Sequence, residues 1–249
     1  MKTMNKIKFL LLITALGVVS AAQSQIGKKI VGNNKYVTIN HEVGAYKKVS
    51  VSNVRCNVVY KNIPDSVGFV RILGEENIVH LLDVSVNKEE LSIKKINMAN
   101  IDNGLLMIYV YSSAIENIDL TGAVIFESYD AMKKDLMKLA ISGSGQIKLH
   151  KLDCKELKAS LLTGSGDLLL KGTAENAHFS VVGGGEIRAD NFVVSNTAFC
   201  KLVGNGNIGC NVSKLLKATI TGVGSIYYKG KPEIKSTIIG TGNVKALDR

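Results

Sequence analysis

The sequence predicts an all-β protein, a single-chain β-helix or β-solenoid built from coils of 18–21 residues. Three observations carry this. The first is a glycine-punctuated phrase repeated six times: GSGQI at 143–147, GSGDL at 164–168, GGGEI at 183–187, GNGNI at 204–208, GVGSI at 222–226 and GTGNV at 240–244. Successive first glycines are 21, 19, 21, 18 and 18 residues apart, and self-similarity at a fixed period of this length marks a stack of equivalent coils. The second is what flanks the glycines. Two residues before the first glycine stand Ile141, Leu162, Val181, Leu202, Ile220 and Ile238, and four after it stand Ile147, Leu168, Ile187, Ile208, Ile226 and Val244. Apolar residues at alternate positions on both sides describe two short strands, each with one buried face. The third is composition. With 24 glycines, two prolines and 46% hydrophobic residues, the chain has material for a continuous core and few residues that would interrupt a ladder.

Each element follows in order. Residues 1–22 read as a secretory signal peptide: Lys2, Lys6 and Lys8 precede an apolar run from Phe9 to Val19, and small residues follow at Ser20, Ala21 and Ala22. That run is too short to span a bilayer, which needs ~20 residues, so the protein is expected to be exported to the periplasm, the outer surface or the medium, and not to be transmembrane. Residues 23–47, with Gly27, Gly32, Asn33, Asn34 and Gly44, read as an N-terminal leader. A single solenoid domain is expected over 48–249, irregular in its first coils (48–120) and regular from 121 onward. Within the irregular part, Leu82, Val84 and Val86 alternate with polar residues, Lys88-Glu89-Glu90 makes a turn, and Leu91 and Ile93 alternate again. TGAVIF at 121–126 is a degenerate first copy with Gly122 in the glycine slot. In the regular part the glycine pair forms the corner between two strands of one coil, because a position that takes only glycine has positive φ or no room for a side chain.

Three pieces of the chain together resemble a known family. They are AYKKVSVSNVRCNVVY at 45–60, ENIVHLLDVSVNKEELSIKK at 76–95, and the entry SSAIENIDLTG at 112–122 followed by GSGQI and GSGDL. The resemblance is to the family described as putative auto-transporter adhesin, head GIN domain, and it covers roughly residues 44–249. It implies a right-handed β-helix-like fold and an adhesin role, and it brings no catalytic residues.

Three residues after each first glycine stand Gln146, Asp167, Glu186, Asn207, Ser225 and Asn243, an all-polar ladder facing outward and the candidate working surface. Stacked Asp167 and Glu186 are the one pair that fits a calcium ion or the paired carboxylates of a polysaccharide-cleaving enzyme. Only two of the six positions are acidic, however, and Lys148 and Arg188 lie two residues further on the same face, where they compensate the carboxylates. His41, His80, His150 and His178 lack ligand spacing. The serines of the GSG phrases give way to Gly, Asn, Val and Thr in later copies, and no GxSxG motif appears. Cys56, Cys154, Cys200 and Cys210 show no metal pattern. Counted from the glycines, Cys200 shares its slot with Leu139, Ser160, Phe179, Ala218 and Ser236, so it reads as a small buried hydrophobe. Tyr109, Tyr111, Tyr227 and Tyr228 read as core or edge packing.

The charge is +10 for the whole chain, and 28 basic against 21 acidic residues remain once the three signal lysines are set aside. Lysines and acids are interleaved along the chain, which predicts a mixed-sign surface and no nucleic-acid stripe. The reading is a non-catalytic exported binding module, not an enzyme, with no cofactor and no metal. It presents a rigid ladder to an extended glycan, an envelope lipid or a protein, and its last coil can pair with a second copy. The alternative is a carbohydrate-active β-helix enzyme using Asp167 and Glu186.

Overall fold

In the computed structural model, residues 29–63, 67–96 and 100–247 are described; the expected signal peptide at 1–22 lies outside them. Among the described residues the fold is nearly all strand, with one short helix at Glu76–Val79, and its parallel coils stack as a β-solenoid of about six turns. Each regular coil runs through the same stations. An upstream strand leads into the glycine corner, a downstream strand leaves it, and a short return segment carries the chain to the next upstream strand. Strands Gln146–Gly164, Asp167–Gly183 and Glu186–Gly204 each run from one corner to the next and pair in parallel register with the coil on either side.

Alternation dictates the interior. Downstream of the corner, Ile147, Leu168, Ile187, Ile208 and Ile226 stack in register and are fully buried. Burying each such side chain contributes ~1.5–3 kcal/mol. Upstream, Leu139, Ala159, Phe179, Cys200 and Ala218 stack in one inward column. There the bulk of Phe179 is flanked by the small Ala159 and Cys200, so neighbouring rungs fill the same space without collision.

The two glycines of a corner have different duties. Gly204 has a φ of 121°, left-handed territory that side-chain-bearing residues avoid. Gly206 does not need that conformation. A Cβ there would press on the carbonyl oxygen of Gly185 in the coil before and come within 2.8 Å of Val181. One glycine turns the chain, and the other lets adjacent coils close up.

Counting from the glycines misplaces one coil. Strand register slips between Ile141 and Ser142, so Ile141 pairs with Leu161 and Ser142 with Thr163. Leu161 therefore fills the core column and Leu162, the expected core residue, is 47% exposed. For the same reason Ala159, not Ser160, shares the column of Cys200. The extra residue is a β-bulge, which adds one position to one strand and leaves the partner unchanged.

The irregular region folds as a cap. Strands Lys48–Ser52 and Cys56–Lys61 form the first coil, and the next coil, Asn117–Thr121 and Val124–Ser128, pairs with one side of it. Its other side is covered by sequence that lies between them: Glu90–Lys95 pairs with Lys48–Ser52, and Met107–Tyr111 with Cys56–Lys61. Beyond these the pairing turns antiparallel. Leu82–Asn87 closes on Glu90–Lys95 through Lys88 and Glu89, both at positive φ, a two-residue hairpin turn. Phe69–Glu75 pairs antiparallel with Met107–Tyr111 and with Tyr36–Glu42. The segment expected as a leader thus contains a seven-residue strand, Tyr36–Glu42, whose Val37 and Ile39 pack on the core. Buried Glu75 fastens it, accepting the backbone N–H groups of Asn34 at 3.0 Å and Gly104 at 2.9 Å.

Candidate functional site

The six ladder residues stand on the downstream sheet, each beside an inward aliphatic and therefore pointing out. Gln146, Asp167, Glu186, Asn207, Ser225 and Asn243 are consecutive partners in the parallel register. The first five are half-buried and Asn243 is exposed. They hold one another: the amide of Gln146 donates to Asp167 at 3.3 Å, and the backbone N–H of Ser225 donates to the side-chain oxygen of Asn207 at 3.3 Å. The guanidinium of Arg188 lies 3.8 Å from Asp167 and 3.8 Å from Glu186. One cation faces both carboxylates. Lys148, expected to share this task, stands instead opposite Glu127 in the register.

A second polar cluster was not legible from spacing. His150 Nε2 is 3.1 Å from Glu127, and Tyr129 stacks on the imidazole with centroids 4.4 Å apart. Burial pushes the Glu127 carboxyl up, but hydrogen bonds from Tyr129 and His150 and the charge of Lys148 outweigh it and hold the carboxyl below its usual range. Glu127 and His150 lie 23 residues apart in sequence, and only the coil period makes them neighbours. His178 stacks on Phe199 with centroids 4.5 Å apart.

An open groove of about 470 Å³ follows the return segments, lined by Lys134, Asp153, Cys154, Lys155, Thr173 and Ala174 among others. Its charges are largely spoken for: Lys155 pairs with Asp135 at 2.8 Å, and Asp153 accepts the Thr173 hydroxyl at 2.8 Å. Burial pushes the Cys154 thiol up to about 12, so the groove holds a protonated, inert sulfur. All four cysteines are free and buried, and Cys200 Sγ lies 4.0 Å from Cys210 Sγ. Among the described residues no group of three or more His, Cys, Asp and Glu side chains can hold a metal ion. Tyr109, Tyr111, Tyr227 and Tyr228 are half-buried, Tyr228 against the core.

With this architecture in view, comparison with protein families matches residues 45–232 to the profile described as "Putative auto-transporter adhesin, head GIN domain". The chain belongs to the head GIN domain family. Solved structures agree on the fold. A putative adhesin from Bacteroides fragilis is 27% identical, superposes with a TM-score of 0.79, and is matched over 88% of this chain and 100% of its own. A putative lipid binding protein from Parabacteroides distasonis is 22% identical with a TM-score of 0.74, over 89% of this chain and 100% of its own. A putative adhesin from Parabacteroides merdae is 23% identical with a TM-score of 0.69, over the same shares of the two chains. The comparison with curated proteins found no match. In this head GIN domain chain, no described helix is long and apolar enough to cross a membrane.

Proposed function

We propose that this head GIN domain chain is a non-catalytic, exported binding module of the cell surface or envelope. It offers its rigid outward columns to an extended glycan, a lipid or a protein. The observation that carries this reading is Arg188, set at the same distance from Asp167 and Glu186. The enzyme alternative asks two carboxylates to flank a bond held between them; here both stand on one outward column and face the same guanidinium. The names of the structural relatives, adhesin and lipid binding protein, point the same way. Equivalent positions repeated along an axis suit an extended ligand, held by many weak contacts rather than by one pocket.

The test is incubation of the purified protein with a panel of acidic and neutral polysaccharides, assayed for new reducing ends and unsaturated products. No turnover is expected. The double substitution Asp167→Asn with Glu186→Gln should reduce ligand binding modestly. Turnover that disappears in the double variant would promote the enzyme.

A further inference from the structure

The upstream sheet carries a pattern that linear reading scatters over a hundred residues. Of its outward columns over six consecutive coils, one (Leu136, Glu156, Asn176, Thr197, Leu215 and Glu233) borders three that lie nearer the glycine corner. The first of these three is Lys138, Lys158, His178, Phe199, Lys217 and Lys235, each a register partner of the next. The second is Ala140, Ser160, Ser180, Lys201, Thr219 and Thr237. The third, along the glycine corner, includes Val182, Val203, Thr221 and Ile239 in register, with the bulged Leu162 at its near end. Rungs ~4.8 Å apart and residues ~3.3 Å apart make this a face of ~24 by ~13 Å.

Three properties of the face stand together. It holds five lysines and no acid in its three columns. Lys158 and Lys235 pair with Glu156 at 3.2 Å and Glu233 at 3.1 Å, which flank the first column, while Lys138, Lys201 and Lys217 have no carboxylate partner among the described residues. The cationic column is braced: Lys217 sits 5.0 Å from the centroid of Phe199, whose ring also stacks on His178. Apart from Thr221 and the Ser142–Thr163 pair, the third column is aliphatic and wet, with Leu162 47%, Val182 40% and Ile239 63% exposed, and Val223 extends it onto the corner at 62%.

We propose that this face docks the protein on an anionic lipid bilayer, its lysine column on the headgroup phosphates and its aliphatic column in the interface. This rests on the binding-module reading and names the lipid as its partner. Charge alone would serve a soluble polyanion equally. The aliphatic column decides between them, because a hydrated polymer gives it nothing to bury against, whereas peripheral membrane binding is strongest when apolar insertion and basic residues act together.

Sedimentation of the protein with vesicles of phosphatidylcholine, with and without phosphatidylglycerol, tests it. Binding is expected only with phosphatidylglycerol and should weaken as salt rises. Lys138→Gln, Lys201→Gln and Lys217→Gln should each lower partitioning about fivefold. Val182→Ser with Ile239→Ser should lower it while leaving the salt dependence unchanged. Lys148→Gln, on the other sheet, should change nothing. All these side chains point outward, so unchanged circular dichroism and melting confirm intact coils. No vesicle binding, equal binding to both compositions, or binding indifferent to the lysines overturns the proposal. So does capture of polygalacturonate or DNA through the same lysines in place of vesicles. None of these outcomes produces polysaccharide turnover, so the binding-module reading falls only by its own assay.

Discussion

Glu186 and Ile187 are adjacent in sequence and opposite in consequence. Ile187 is fully buried between Leu168 and Ile208, whereas the Glu186 carboxylate reaches solvent beside Arg188. Ile187→Asp puts a charge into an aliphatic column and should cost several kcal/mol, unless the rung opens to let water in. Glu186→Ala removes an exposed ion pair and should stay within about 0.5 kcal/mol. Denaturant midpoints of the two variants check this, and comparable losses would invert the faces. At this scale the sequence is highly readable, because strict alternation beside an invariant glycine leaves one assignment for each side chain. His150 and Glu127 show the limit: neither has a distinctive local setting, and their contact exists only once the coil period is fixed.

The bulge at Leu162 shows where element-level reading stops. A ladder of glycines predicts register only while every strand has the same length between corner and core, and one inserted residue passes unnoticed in sequence. Its structural signature is specific: Leu161 and Thr163 pair with the adjacent residues Ile141 and Ser142. Deleting Leu162 should therefore restore an unbroken ladder and change stability by less than about 1 kcal/mol. Leu161→Asp instead puts a charge into the core column and should be strongly destabilising. Thermal melts of the two variants compare them directly; equal loss would mean the bulge is required for closure. The cap was half legible for a related reason. Alternation at Leu82–Asn87 and Glu90–Lys95 identifies strands and a turn, but parallel and antiparallel strands alternate alike. Nothing local says that residues 69–111 would cover the first coil rather than follow it. The basic face went unread on the same ground, since lysines spread evenly along the chain become a column only through registers of 18–21 residues.

Across the whole molecule the two ends differ. One is finished by antiparallel strands Tyr36–Glu42 and Leu82–Asn87. At the other, strand Glu233–Gly240 pairs on one side only among the described residues, and its inward residues Ile234 and Ile238 remain about 40% exposed. Solenoid stability is the sum of contacts between neighbouring coils, so amide exchange should be fastest in 233–246 and slowest in 156–204. Uniform protection, with a concentration dependence, would reveal a second copy paired on that rung. The clasped first coil carries a different implication, about the order of assembly. Because one edge of Lys48–Lys61 is covered by segments 90–95 and 107–111, which follow it, that side of the first coil is complete only once about residue 111 has emerged. From that point every new length of chain meets a completed template one coil behind it. Growth then proceeds like knitting onto a cast-on edge, and the nascent protein never has more than about one row waiting for a partner.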